Sequence, residues 1–344
     1  MRPIIGITMG DPAGIGPEIA IKALAKNHIY EKCIPVIIGD AEALKDANRF
    51  TNLNLKLNEI KDINHARGEF GTVDYLNLSF LAPGSWEYKK VSALAGKAAF
   101  NYVKKGIELA LENKIHAVVT GPINKESINL AGYHYSGHTE IFADLTGTKD
   151  YAMMLASHSL KVVHVTTHVS MRKACDLITE ERVFKVINLA NDAMKMMGVE
   201  DPRIAVAGLN AHSSENGLFG TEEQTAIKPA IEKAKSQGIN ADGPVPPDTV
   251  FVKALAGQYD IVVAMYHDQG HIPVKLTGFK LDLATNKYTS VSGINCTLGL
   301  PIIRTSVDHG TAFGKAGEGR ANEESLVDAI EMAIRMAKVK FKLK

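Results

Sequence analysis

Cysteine is scarce: Cys33, Cys175 and Cys296 are the only three in 344 residues. An odd, scattered trio supplies neither a disulfide framework nor the paired spacing of a zinc knuckle, which fits a reducing compartment. Charge imbalance is missing as well. With 39 Lys+Arg against 38 Asp+Glu the net charge is +1, so no global field selects nucleic acid or an anionic membrane. No apolar run approaches the roughly 18 residues that a bilayer crossing needs. The opening Met-Arg-Pro-Ile-Ile-Gly-Ile-Thr enters a strand pattern without the layout of a signal peptide. Repeats at solenoid periods and low-complexity tracts are absent too. These absences set aside a membrane protein, a small secreted scaffold and a disordered chain. The expectation is a cytoplasmic protein without membrane or nucleic-acid partners.

What is present is an ordinary globular composition, 45% hydrophobic and 22% charged, in a chain long enough for about two domains. Short Val- and Ile-rich runs fall at 4–9, 36–38, 117–120, 162–166, 204–207, 261–265 and 302–305. They show little in/out alternation, as strands covered on both faces do. Amphipathic segments at 96–112, 180–197, 221–237 and 323–340 lie between or after them. The alternation predicts an α/β fold with a largely parallel sheet and helices on both sides. Turn-rich punctuation never lengthens into a flexible linker, and the basic tail 338–344 suits a helix C-terminus.

In open parallel sheets, ligands bind beyond the carboxyl ends of the strands. Three of these strands deliver a histidine there: 162–166 runs into His168, 204–207 into His212 and 261–265 into His267. Three protein ligands with an open fourth position describe a catalytic metal site. Satisfied polar histidines describe the same pattern, and ligands so far apart have no local spacing to decide between them. His28, His65, His116 and His158 belong to the background among 12 histidines, and His164 reads as core.

The loop Gly10-Asp11-Pro12-Ala13-Gly14-Ile15-Gly16-Pro17-Glu18 follows the first strand and opens a helix. Its spacing is not GxGxxG, and no Lys-Ser/Thr follows as in a P-loop. An anion-binding loop and a plain tight turn both satisfy it. In Gly137-His138-Thr139-Glu140, Thr139 is placed to cap the following helix, beside an imidazole able to meet an anionic substrate. Lys275 and Arg304 are the basic residues nearest the strand ends, and Arg304, inside an apolar run, has the fork that suits phosphate or carboxylate.

Taken together, several motifs resemble the 4-hydroxythreonine-4-phosphate dehydrogenase family over nearly the whole chain. They are the 10–18 loop, Gly121-Pro122-Ile123-Asn124-Lys125, Gly137-His138-Thr139-Glu140, Gly208-Leu209-Asn210, Asp248-Thr249, Tyr266-His267-Asp268-Gln269-Gly270 and Ile303-Arg304-Thr305-Ser306-Val307-Asp308-His309-Gly310-Thr311. The resemblance implies the two-domain isocitrate/isopropylmalate dehydrogenase-like architecture, with the active site in the interdomain cleft. It puts an NAD-side domain at 1–125 plus 293–344 and a metal, substrate and dimerisation domain at 126–292. It implies a homodimer with the active site at the subunit interface. It assigns His168, His212 and His267 to a divalent metal, zinc first, with magnesium, cobalt or manganese as alternatives. It assigns His138, Thr139, Lys275, Asn295 and Arg304 to the substrate. His309, Gly310, Thr311 and Asn322 are similar to a loop that holds the adenosine of NAD, and NADP is the alternative cofactor.

The implied reaction is NAD-dependent oxidation and decarboxylation of 4-phosphooxy-L-threonine, a step of pyridoxine biosynthesis, with Asp248, Asp268 and Lys275 as candidates for proton transfer. Asn210-Ala211-His212-Ser213-Ser214-Glu215 departs from the Asn-Pro-His-Ala-Gly-Glu of biosynthetic members, and 280–292 reads as an insertion. Both resemble a paralogous branch that acts on D-threonate or D-erythronate 4-phosphate, the alternative substrate class. A dehydrogenase for a non-phosphorylated diol acid, a non-catalytic scaffold and an acyltransferase on a similar sheet are the competing readings.

Overall fold

The computed structural model describes residues 1–283, 287–291 and 293–343. The chain divides into two compact units, Met1–Lys149 with Leu300–Lys344, and Asp150–Gly299. The first unit contains β1 (Ile4–Thr8), β2 (Ile34–Gly39), β3 (Lys56–Ile60), β4 (Thr72–Asn77) and β5 (Ala117–Thr120). The second contains β6 (Ala152–Ala156), β7 (Lys161–His164), β8 (Ile204–Ala207), β9 (Ala241–Val245), β10 (Ile261–Ala264), β11 (Phe279–Asp282), β12 (Lys287–Val291) and β13 (Ile294–Leu298). The chain then returns to the first unit for β14 (Arg304–Val307).

In the first unit the strand order is β3-β4-β2-β1-β5-β14, and every neighbouring pair is parallel. In the second, the order β13-β6-β7-β10-β8-β9 starts antiparallel at β13, β6 and β7 and is parallel from β7 onward. The α/β reading with a largely parallel sheet therefore holds in each unit. β5, β8 and β10 are buried at every residue, the condition of strands sandwiched between helices. All seven sequence-predicted strands are present, although the run at 302–305 becomes a strand only from Arg304.

Four of the unpredicted strands have physical reasons for hiding. β3, Lys-Leu-Asn-Glu-Ile, is a polar edge strand of its unit. β9 contains Gly243-Pro244, which an edge tolerates because its outer N–H groups need no ladder partner. β6 and β13 carry no strong β-branched signature, and antiparallel pairing to each other satisfies them. That pairing also keeps 293–299 in the second unit. Helix Lys125–Leu130 packs on the long helix Ala93–Leu111 and keeps 126–149 in the first. The boundaries therefore fall at 149/150 and 299/300 rather than at the expected divisions 125/126 and 292/293.

The long helices lie where their periodicity predicts, with Ser92 and Thr179 accepting from Ala95 N–H and Arg182 N–H as caps. The expected helix over 221–237 starts with a wider turn at Glu223–Ile227 before its regular part, Lys228–Ser236. Within 280–292 the backbone forms the antiparallel pair β11–β12, and 284–286 and 292 lie outside the described residues.

Candidate active site

The second unit gathers the histidines by topology. β10 lies between β7 and β8, all three run the same way, and His267, His168 and His212 follow their carboxyl ends. The ring centroids of His168 and His267 are 5.8 Å apart. His267 opens the helix His267–Gly278. Its Nδ1 lies 2.6 Å from Asp268 Oδ1, and Nδ1 of His212 lies 2.7 Å from Glu215 Oε1. The contact with Glu215 also raises the pKa of His212.

Among the described residues no three His, Cys, Asp or Glu side chains form a closed metal cage. The donor chemistry nevertheless fits a divalent ion, since a carboxylate on Nδ1 fixes the tautomer that leaves Nε2 to ligate. His212 stands on a run of five left-handed residues, His212 to Asn216, with φ between 43° and 64°. Such backbone costs of order 1 kcal/mol per residue and persists only where its surroundings impose it.

Those surroundings include two residues that sequence reading missed. Glu223 is buried, and its Oε1 accepts from Leu209 N–H and Asn210 N–H at 2.8 and 2.7 Å, while Oε2 accepts from Asn210 Nδ2 at 2.8 Å. Gln269 donates from Nε2 to Gly208 O at 2.8 Å and accepts from Met265 N–H at 2.6 Å. The exit of β8 is thus tied to the exit of β10. Gln269 sits in the Tyr266–Gly270 motif and was legible there; Glu223 had no sequence signal.

His271 and His164 complete a histidine cluster. The His271 ring stacks on His267 with centroids 3.6 Å apart, and burial pushes its pKa down to about 4. His164, read as core, is buried and its pKa is pushed by burial to about 3. Its Nε2 faces Gly270, where a Cβ would stand only 2.4 Å away, so no larger residue fits there. Asp248 contributes to the field at His212. It lines a cleft with Tyr266 and Asp268, and those two also line the neighbouring cleft of His168 and His267. Lys275 lies two helical turns beyond His267, its ammonium 4.5 Å from the Phe279 ring centroid. Asn295 pairs with Leu155 across β13–β6.

The first unit holds the other candidates. Arg304, the first residue of β14, is 2% exposed. It donates to Thr120 Oγ1 at 2.9 Å, and its guanidinium lies 5.6 Å from the Phe142 ring centroid. His138 is the first residue of helix His138–Leu145. Burial, reinforced by Arg304, holds its pKa far below the usual imidazole value. Its Nε2 is buried without a partner. A buried cation, a neutral imidazole and a helix N-terminus are groups whose chemistry suits a compact anion. Gly137, not Thr139, takes the cap position, and it has no side chain to close the first turn. The 309–322 segment lies against the 10–18 loop, with Ile15 N–H donating to Thr311 O at 3.0 Å.

Comparison with known proteins gives this arrangement a family. The description "Pyridoxal phosphate biosynthetic protein PdxA" matches residues 31–333. This chain belongs to that family. A relative from Oceanobacillus iheyensis, provisionally named D-threonate 4-phosphate dehydrogenase, is 48% identical over 98% of this chain and 99% of its own. Relatives from Clostridium botulinum with the same provisional name are 47% identical over 97% of each chain. The crystal structure of 4-hydroxythreonine-4-phosphate dehydrogenase from Klebsiella pneumoniae is 43% identical over 98% of each chain, with a TM-score of 0.85. Family relatives are thus dehydrogenases of phosphorylated hydroxy acids, so the chain is an oxidoreductase. A phosphotransacetylase from Staphylococcus aureus shares the fold at 14% identity and a TM-score of 0.52, so the acyltransferase resemblance is one of fold alone. No helix among the described residues is long and apolar enough to cross a membrane.

Asp11, in the 10–18 loop, yields the first prediction. It is fully buried, its Oδ1 accepts from Ala13 N–H at 2.8 Å, and burial raises its pKa from 3.8 to about 6. The folded state therefore favours the protonated acid, and the stability linked to it is present at low pH and lost as pH rises from about 4 through about 6. A shift near two units is worth at most about 3 kcal/mol. Asp11→Asn should be more stable than the parent by about 1–3 kcal/mol at pH 8 and equal to it at pH 4, by urea denaturation. An identical difference at both pH values would refute the assignment.

Proposed function

We propose that this protein is an NAD-dependent, metal-assisted dehydrogenase, acting as a homodimer, that oxidises and decarboxylates a 4-phosphorylated four-carbon hydroxy acid. D-threonate 4-phosphate is the leading substrate. The observation that carries this choice is the 48% identity to a relative provisionally named D-threonate 4-phosphate dehydrogenase over essentially the full length of both chains. The His212 loop, with Ala-His-Ser-Ser in place of the biosynthetic Pro-His-Ala-Gly, supports it. The alternative, 4-phosphooxy-L-threonine, is supported by the 43% identical Klebsiella enzyme.

In this reading Arg304, His138 and the N-terminus of helix His138–Leu145 bind the substrate's phosphate or carboxylate. The lowered pKa of His138 keeps it neutral beside Arg304 and avoids cationic repulsion between the two. His168, His212 and His267 would hold the divalent ion, zinc first because three imidazoles suit it, with magnesium, cobalt and manganese as alternatives. When bound, the ion supplies Lewis-acid polarisation of the alcohol oxygen. Glu215 and Asp268 hold the rings of His212 and His267, which makes Asp268 an orienting group and leaves Asp248 and Lys275 for proton transfer. His309, Gly310, Thr311 and Asn322 would carry the dinucleotide, NAD with NADP as the alternative. Gly310 is open to solvent where a side chain would stand, so ligand can approach the backbone.

NADH formation should be measured, with zinc or magnesium present, on D-threonate 4-phosphate, D-erythronate 4-phosphate, 4-phosphooxy-L-threonine and their dephosphorylated forms. Preference for the D-threonate ester by at least tenfold is expected. Preference for 4-phosphooxy-L-threonine moves the enzyme to the second reading, and equal turnover of a dephosphorylated acid removes the phosphate from the mechanism. His212→Ala should weaken zinc binding by roughly 10–100-fold and abolish turnover with the thermal midpoint unchanged; full activity in chelated buffer contradicts the metal assignment. Arg304→Lys keeps the charge but loses the fork. Its substrate KM should rise about tenfold or more and its NAD KM less than twofold, because a bidentate anion contact is worth at least 1.4 kcal/mol. Equal rises would place Arg304 outside the anion site.

A further inference from the structure

The segment 309–322 is held from outside by the first helix of the chain, Gly16–Ala23. Glu18 is fully buried, and its Oε1 accepts from Ala321 N–H at 2.6 Å. Lys22, one turn later, has its ammonium 3.2 Å from the same Oε1. It also donates to Gly319 O at 2.8 Å and to Ala321 O at 2.6 Å. One Glu–Lys pair therefore binds both peptide groups of Ala321 and the carbonyl of Gly319. At the other end of the segment, Ile15 N–H donates to Thr311 O. Gly14 makes that approach possible, because a Cβ there would stand 2.9 Å from Thr311 O.

A lysine beside a nucleotide loop invites the assignment of phosphate ligand. An ammonium has three N–H donors, and here three protein oxygens lie within hydrogen-bonding reach of it. Lys22 gives two donors to backbone carbonyls and its charge to the Glu18 carboxylate, and Glu18 is sealed from solvent. We propose that Lys22 and Glu18 are positioning residues for the dinucleotide: they fix the backbone course of 319–321 so that the loop is shaped before the cofactor arrives. The gain is preorganisation, since a loop ordered in advance loses less entropy on binding. The inference rests on the reading that 309–322 carries the cofactor.

Lys22→Met keeps the stem and removes the donors, and Lys22→Arg restores donors to the same carbonyls. On the full-length protein loaded with zinc, hydrogen exchange at residues 319–321 and the Kd for NAD, by calorimetry, are read together with kcat and KM. In Lys22→Met the exchange should accelerate and the Kd for NAD rise about tenfold, with kcat and substrate KM within about twofold. Lys22→Arg should return both readouts to within about threefold of the parent. Unchanged exchange in Lys22→Met overturns the positioning role itself. Faster exchange with an unchanged Kd for NAD keeps the clamp but overturns the cofactor reading of the loop on which the inference rests.

Discussion

Parallel pairing is the constraint from which the chemistry follows. In a parallel sheet every strand leaves at the same edge, so residues distant in sequence arrive together without any local signal. His168, His212 and His267 are up to 99 positions apart, yet β7, β10 and β8 are immediate neighbours. The same rule acts separately in the first unit. There β1, β5 and β14 are adjacent, the Asp11 loop and Thr120 lie at the carboxyl ends of β1 and β5, and Arg304, at the start of β14, reaches Thr120 with its long side chain.

A backbone that brings loops together does not fix side chains. That task falls to buried acceptors and donors with several partners each. Glu223 satisfies three donors of the Leu209–Asn210 turn, and Gln269 ties that loop's start to the exit of β10. An unpaired buried amide or carboxylate costs a few kcal/mol, so each of these networks holds its partners in one arrangement. The left-handed run at 212–216 follows the turn that Glu223 holds, and Ser214 within it is buried and tied to Gln224, which helps hold an unfavourable region of backbone space.

Legibility in the sequence followed the same division. The β-branched strands and amphipathic helices were readable because burial on two faces, or on one stripe, leaves a periodic trace. The polar edge strand β3 and the Met-rich β6 left none. The histidines at strand ends could be found individually, but their adjacency depends on strand order, which no residue spacing encodes. Thr139 has the residue type of a helix cap, but the helix starts before it, at His138, so Gly137 holds the cap position and Thr139 lies inside the first turn. Glu223 and the Glu18–Lys22 pair were invisible for a further reason: their partners are backbone groups, and any sequence supplies those.

The electrostatics show why neutral and charged groups are segregated within the first unit. Arg304 is the buried cation of its pocket, and its neighbour His138 is driven to neutrality by burial and by that charge. On the proposed reading, an anion there would meet one full positive charge, a helix N-terminus and the buried Nε2 of His138. A second full cation would strengthen attraction but would cost more to bury unpaired than the anion returns. In the second unit the solution is opposite in kind. His164 and His271 are held uncharged by burial, whereas His212 and His267 each contact a carboxylate at Nδ1. Two imidazoles are thus neutralised by burial and two are oriented by a carboxylate, and a carboxylate at Nδ1 is the arrangement that leaves Nε2 facing outward as a donor.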